Sequence, residues 1–554
     1  MKDFRHSTVY QIYIKSFCDS NGDGIGDING IRSRLPYLKS LGIDYVWITP
    51  FFLSPMNDNG YDVADYCSVN PMFGTLEDVM ALLKEGRELG IGFMFDMVFN
   101  HTSTDHEWFR KAMTGDPEYM DYYIFRDGVD GHAPTNWESK FGGNAWEYVP
   151  SLGKWYLHLF DVSQADLNWE NPRVREELKN VIRFWKEAGV SGFRFDVVNL
   201  ISKPAEFVDD EAGDGRRFYT DGRHVHEFIH ELVVDTGIDE MVTVGEMSST
   251  SLDNCIRYTE PKRRELSMCF SFHHLKVDYD KGDKWALKEP DLVRLRELFE
   301  TWQVGMQDNG GWNALFWCNH DQPRAVSRFG DDGIYWLRSA RMLGMFIHLM
   351  RGTPYIYQGE EVGMMNAGFK DIGLYRDVES TNYYQILLDK GLSPEEAIHI
   401  ISERSRDNGR TPMQWTAGPN AGFTTGTPWL GIPDNYDVVN AAIEEDDPDS
   451  ILNFYRRLVS LRKELDIIAE GDIRFLDTGN DKVMAYERSL GGEKLTVLCS
   501  FSKRSEKICV PALCEALRNG SLLVSADPVA PELGEEPSDC LTVRPFEGIA
   551  VLAN

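Results

Sequence analysis

The chain is short of positive charge, of paired cysteines and of long apolar runs, and each shortage excludes something. It has 57 lysines and arginines against 88 aspartates and glutamates over 554 residues, a formal net charge of −31. A field of that sign repels nucleic acid and anionic membrane surfaces, so neither is expected as a partner. The nine cysteines are odd in number and show no C-x-x-C spacing. That pattern speaks against a zinc site and against a disulfide framework. Cys269, Cys318 and Cys499 stand in apolar runs, where a cysteine usually serves as a small buried hydrophobe. No run reaches the length of a membrane span, and MKDFRHSTVYQIYIKSF lacks the apolar core and cleavage site of a secretory signal. Repeats and low-complexity tracts are also missing. The expectation is a soluble, reduced, cytoplasmic monomer whose partner is a small molecule.

What is present is a large folded protein. Hydrophobic residues make up 42% and aromatics 12%, too apolar for a disordered chain, and the length exceeds one ordinary core. Short β-type runs (VYQIYI, YVWIT, GFMFDMVF, FRFDVV, VTVGE, MCFSF, LFWCN, TPYIYQG) recur, several separated by amphipathic stretches such as VREELKNVIRFWKEAG. Strand alternating with helix implies a parallel sheet, and about eight such units point to a closed (β/α)8 TIM barrel. Two regions break the rhythm. Residues 102–169 are rich in Gly, Pro, Trp and Tyr and read as a subdomain inserted after strand 3. Residues 473–554 alternate β-type runs with turns and read as a C-terminal antiparallel β domain. The barrel then comprises residues 1–101 and 170–472.

Three carboxylates stand where apolar runs end: Asp196 after GFRF, Glu246 after MVTVG, and Asp321 after ALFWCNH. Chemistry in such barrels collects at the C-terminal ends of strands. Arg194 lies two residues before Asp196, so on a strand both side chains face the same way. A neighbouring guanidinium keeps Asp196 ionised and suits it to nucleophilic attack, whereas burial suits Glu246 to carry a proton. Two carboxylates with these complementary roles are what glycoside cleavage needs. Tyr61 and Asp62 in GYDVADY, beside Asp96, Asn100 and His101 in FDMVFNH, supply a ring and polar groups for a sugar. Near the start, Asp19, Asn21, Asp23 and Asp27 occupy alternate loop positions, with the Ile25 carbonyl between. This oxygen-rich spacing suits a structural Ca2+, with Mg2+ as the alternative. Gly30 stands where an EF-hand needs its bidentate glutamate, so an ordinary EF-hand is excluded.

The set FDMVFNH, GFRFD, the GE after an apolar strand and CNHDQ resembles the barrel motifs of the α-amylase superfamily, glycoside hydrolase family thirteen. The resemblance spans nearly the whole chain. It implies retaining cleavage of α-glucosidic bonds through a covalent glucosyl–aspartate, without a redox cofactor. By that match Asp196 is the nucleophile, Glu246 the general acid/base and Asp321 the transition-state stabiliser, while Arg194, His101 and His320 bind the sugar. QADLNW and SRDNGRTPMQW are similar to the oligo-1,6-glucosidase branch, which implies that Asp62 and Arg410 close the pocket around a terminal glucose. Ala165 departs from the proline usual in that branch and leaves the linkage preference open.

DVVNLISK, GDGRRFYTDG, VGEMSSTSL, SFHHLKVDY, GWNALFWCNHDQPR and YRDVES are similar to the family members that split trehalose 6-phosphate into glucose and glucose 6-phosphate. An acidic protein would need local cations to hold such a phosphorylated disaccharide. Lys203, Arg216, Arg217, Arg223, Lys276, Lys281, Lys284 and Lys288 are the candidates, with Lys284 and Lys276 foremost and His273 and His274 as further donors. Two alternatives stay open: an oligo-1,6-glucosidase or related enzyme acting on unphosphorylated isomalto-oligosaccharides, and a non-catalytic barrel that serves as an interaction module.

Overall fold

The computed structural model describes residues 3–527 and 540–553. Eight parallel strands form one sheet: β1 (Val9–Ile12), β2 (Tyr45–Ile48), β3 (Gly92–Met97), β4 (Gly192–Phe195), β5 (Val242–Met247), β6 (Met268–Ser271), β7 (Ala314–Leu315) and β8 (Thr353–Tyr357). Their order, β6-β5-β4-β3-β2-β1-β8-β7, is the near-closed (β/α)8 barrel that the alternation predicts. Every residue of β1, β2, β4 and β8 is buried, as expected when helices cover one face of a sheet and packed side chains fill the other.

The crossover helices begin and end where local chemistry requires. Leu76–Leu89 starts with a capping box between Thr75 and Asp78 and stops at Gly90, whose φ is 74°. Pro172–Ala188 is capped by Asn171 and opens on a proline, where the missing N–H costs nothing. It buries Val174, Leu178, Ile182 and Trp185, residues spaced to share one face.

Residues 47–272 form one compact unit. In it Arg194 on β4 lies opposite Asp96 on β3, and Glu246 on β5 opposite Phe270 on β6. The inserted region leaves through an antiparallel pair, His101–Ser103 with Gln164–Asp166, in which Asp166 faces His101. Within it Phe125–Arg126, Lys154–Leu157 and Trp146–Val149 make a three-stranded antiparallel sheet.

The remaining described residues, 3–46 with 273–527 and 540–553, form the second compact unit. Gln11 on β1 pairs with Tyr357 on β8, and Ala314 on β7 with Thr353. Its C-terminal part is a five-stranded antiparallel sheet ordered Asp472–Leu476, Val483–Leu490, Glu493–Ser500, Gly548–Ala553, Ser521–Ser525.

After β1 the chain forms two short helices, Ile28–Ser33 and Leu35–Leu41, because Pro36 has no N–H to continue the ladder. Two local expectations need correction. The run LFWCN is a strand only over Ala314–Leu315. A disulfide joins Cys509 and Cys540, where none was expected. The antiparallel register that pairs Ile508 with Leu541 sets the next residues of the two strands side by side. The sequence separation of 31 residues gives no hint of it.

Candidate active site

In the unit of residues 47–272, the carboxyl ends of β3, β4 and β5 bring four charged side chains together. The Arg194 guanidinium is buried and reaches three carboxylates: Asp96 at 2.6 Å, Asp196 at 2.7 Å, and Glu246 in a closer contact still. Asp96 also accepts from Trp47 Nε1 (3.0 Å) and the Tyr61 hydroxyl (3.1 Å), and the guanidinium lies 4.9 Å from the Trp47 ring. Formally three negative charges share one positive charge. Burial pushes the Asp196 carboxyl well up; Arg194 opposes this, and the Glu246 and Asp96 charges add to it. Burial raises Asp96 too, against Arg194 and the Trp47 and Tyr61 hydrogen bonds. Arg194 thus favours the ionised Asp196, as expected, but it is shared with Asp96 and Glu246 and works against burial.

His101 is neutral, its pKa lowered to about 4 by burial. Its tautomer follows from a lysine two bonds away. Lys203 is buried and can only donate, and it donates to Asn100 Oδ1 (2.6 Å), the Leu200 carbonyl (2.6 Å) and Asp166 (2.7 Å). Asn100 must then turn its amide nitrogen to His101 Nδ1 (3.2 Å), which accepts. The ring proton sits on Nε2 and is donated to the Tyr61 carbonyl (3.0 Å). This use of Lys203 removes it from the phosphate-binding candidates. Asp62 is buried and accepts from Ser54 Oγ (2.9 Å), Asn57 N (2.9 Å) and Asp58 N (3.1 Å), so it also shapes its own loop.

The second unit has its own cluster after β7. Arg410 donates to Asp321 Oδ1 (2.7 Å) and to the His320 carbonyl (2.9 Å). His320 meets the Gln11 amide through Nδ1 (2.9 Å) and Asp321 through Nε2 (3.3 Å), and its ring stacks on Tyr13 at 6.0 Å. Arg406 lies 3.5 Å from Asp321 and holds Asp377 at 2.7 Å. Burial resists ionisation of Asp321, but His320, Arg406 and Arg410 outweigh it and keep the carboxyl far below its usual range. A permanent carboxylate of this kind suits stabilisation of positive charge in a transition state. Arg410 Nη1 and the Tyr13 hydroxyl are buried without a partner among the described residues, as groups awaiting a ligand would be.

The phosphate candidates divide. Lys284 is paired with Glu379 at 2.7 Å, and Arg406 Nε lies 3.6 Å from the same carboxylate, so a phosphate would have to displace or join Glu379. Lys276 is exposed. His273 packs on Trp302 at 4.5 Å, and burial lowers its pKa to about 4, so it stays neutral. His274 contacts the Phe316 carbonyl at 2.9 Å. Arg217 is held by Asp210 (2.8 Å) and Arg216 by Asp214 (3.2 Å).

The loop at residues 19–27 is built from Asx turns. Asp19 Oδ1 accepts from Asn21 N (2.9 Å) and Gly22 N (2.8 Å), and Oδ2 from Gly24 N (2.8 Å) and the Thr424 hydroxyl. Asn21 and Asp23 each accept from the amide two residues on (2.9 Å), and Asp27 caps the helix Ile28–Ser33 through Gly30 N. The donor set of Asp19, Asn21, Asp23, the Ile25 carbonyl and Asp27 is all oxygen, the chemistry a hard cation takes. Among the described residues, however, the Asp19, Asp23 and Asp27 carboxylates do not converge within 4.8 Å of one another. Asp19 and Asp27 also spend both oxygens on N–H and O–H donors.

Sequence reasoning passed over Trp47, Gln11, Arg406, Asp377, Asn199 and Asp221. Trp47 lies inside the run YVWIT, within β2, where nothing in the local pattern sets it apart from a core residue.

A (β/α)8 barrel that carries paired carboxylates and sugar-sized polar groups at its strand ends defines the class: a glycoside hydrolase. The chain belongs to the alpha-amylase family, whose catalytic domain (alpha amylase, catalytic domain) matches residues 11–471. It is 50% identical to the trehalose-6-phosphate hydrolase of Bacillus subtilis (strain 168), over 99% of this chain and 97% of that protein. The crystal structure of Bacillus licheniformis trehalose-6-phosphate hydrolase superposes with a TM-score of 0.95 at 50% identity, covering all of both chains. The oligo-1,6-glucosidase of Parageobacillus thermoglucosidasius is 46% identical over 92% of each chain. Among the described residues no helix is long and apolar enough to cross a membrane.

Proposed function

We propose that this chain hydrolyses trehalose 6-phosphate to glucose and glucose 6-phosphate with retention at the anomeric carbon. The observation that carries the substrate is the full-length 50% identity to a trehalose-6-phosphate hydrolase, above the 46% to an oligo-1,6-glucosidase. Asp196 attacks the anomeric carbon while Glu246 protonates the bridging oxygen. Water, deprotonated by Glu246, then releases the β-glucosyl intermediate from Asp196. Asp321 stabilises the oxocarbenium-like charge. Tyr61, Asp62, His101, His320 and Arg410 bind the terminal glucose. The phosphorylated sugar occupies the leaving-group side, because a phosphate beside Asp62 would be repelled. Lys284 and Lys276 are the proposed phosphate ligands.

Asp19, Asn21, Asp23, Ile25 and Asp27 would hold Ca2+, or Mg2+ in its place. The ion would neutralise and stiffen its loop and take no part in bond cleavage. Initial rates on trehalose 6-phosphate and isomaltose, measured side by side, test the substrate. A kcat/KM higher on isomaltose would replace the reading with an oligo-1,6-glucosidase, and no turnover of either would return the barrel to the non-catalytic class.

A further inference from the structure

Beyond the residues that touch substrate, a hydrogen-bonded bolt ties the chain leaving β4 to the chain leaving β5. Asn199 stands three residues after Asp196, in the 3-10 turn Val198–Leu200, and is fully buried. Its amide grips the backbone of Ser248, two residues after Glu246, at both ends. Oδ1 accepts from Ser248 N (2.9 Å) and Nδ2 donates to the Ser248 carbonyl (2.9 Å). The side chain thus continues the β4–β5 ladder past the point where the sheet ends.

Asp221 decides which way that amide faces. Its Oδ1 accepts from Asn199 Nδ2 (3.1 Å) and the Tyr258 hydroxyl (2.6 Å). Its Oδ2 accepts from the Thr250 hydroxyl (2.9 Å) and Asn254 Nδ2 (2.8 Å). Burial and the Asp221 charge push the Tyr258 phenol up, so it donates. Four donors converge on one side chain, and only an acceptor without hydrogens satisfies all of them. Asp221 also sits at φ 51°, a left-handed conformation uncommon outside glycine, and the following Gly222 packs 2.0 Å (as a would-be Cβ) from the Ser202 carbonyl. Thr250, Asn254 and Tyr258 belong to the exit of β5 and the helix that follows it, Leu252–Thr259.

We infer that Asn199 and Asp221 are positioning residues that set the reach between Asp196 and Glu246. This rests on the roles proposed for those two carboxylates. A retaining pair works at a separation of about 5–5.5 Å, and displacement by about 1 Å costs on the order of a hundredfold in rate. Neither residue contacts the reacting atoms; both act through the loops that carry them.

The test uses leaving groups. Asp221→Asn keeps the shape but offers hydrogens where donors already point. Its kcat/KM is compared with those of the native protein and Glu246→Gln, on trehalose 6-phosphate and on α-glucosyl fluoride, whose leaving group needs little protonation. Expected for Asp221→Asn is a loss of about a hundredfold on the sugar substrate and under about tenfold on the fluoride, the pattern of a misplaced acid. Equal losses on both substrates, or no loss, with Glu246→Gln still selective, would overturn the positioning role and leave the mechanism standing. A Glu246→Gln protein that loses both substrates equally would instead sink the acid assignment. Should Asp221→Asn fail to fold, Tyr258→Phe removes one of the four donors without changing the ring. It should show the same selectivity at a few-fold loss, and equal effects on both substrates would count against the inference.

Discussion

Replacing Arg194 with methionine removes the single cation from the buried Asp96 and Asp196 and the half-buried Glu246. Charges roughly 4 Å apart interact by about 4 kcal/mol at an effective dielectric of 20. Divided by 1.36 kcal/mol per unit, that raises the Asp196 pKa by about 3 units. The nucleophile must be ionised, so activity is lost as pH falls through the raised value. The acid limb of kcat/KM should therefore move to higher pH by about 3 units, and on the native enzyme's acid limb the rate should fall by up to about a thousandfold. Stability follows with a definite sign. A carboxyl whose pKa is raised on folding binds more protons folded than unfolded, so stability drops as pH rises between the two values. Tm of Arg194→Met should fall as pH rises over a wider range above the unfolded carboxyl pKa than that of the native protein. The assay is a pH series with an aryl α-glucoside, read together with Tm. An unshifted acid limb with a uniform loss of rate would refute the electrostatic reasoning and leave Arg194 as a sugar contact only.

Asp196→Asn should abolish turnover and keep the native circular dichroism; retained activity would move the nucleophile elsewhere. Lys284→Ala should raise KM for trehalose 6-phosphate far more than for an unphosphorylated aryl glucoside, and equal changes would remove Lys284 from the phosphate site. Chelator should lower Tm while kcat of the folded protein stays constant; an unchanged Tm would speak against a bound cation in the loop at residues 19–27. Cys509→Ser opens a loop with a sequence separation of 31 residues. Loop-closure entropy puts the loss at about 3.5 kcal/mol, and denaturant unfolding under oxidising conditions measures it.

What the sequence revealed were features written in adjacent residues. Asp196 could be found because GFRF is a strand and the next residue is an acid. Glu246 was legible in the same way, since β5 runs through it. Asp321 was found by its motif more than by its strand, for β7 ends at Leu315 and the chain reaches Asp321 by an irregular path. Pairings across strands were not legible. Arg194 was assigned to Asp196 by proximity along the chain, whereas the β3–β4 register also gives it to Asp96. Lys203 looked like any other cation until Asp166 and Asn100 were seen around it. The grip of Asn199 on Ser248 spans 49 residues and leaves no local pattern. The disulfide was missed for the same reason: two cysteines become neighbours only through a register that forms on folding.

The strand pair His101–Ser103 with Gln164–Asp166 closes the inserted region at its neck. Whatever lies between Thr104 and Ser163 enters and leaves through a zipped stem, and lengthening a loop whose ends are already joined costs little. The stem is joined by a second hold: Ile124, Trp137, Trp146 and Leu157 share one buried core with Val197 and Leu200, just after Asp196. Changes of length therefore belong in the turns between these packed residues, and a swap that lost Trp137 or Trp146 would loosen the very loop that leaves β4.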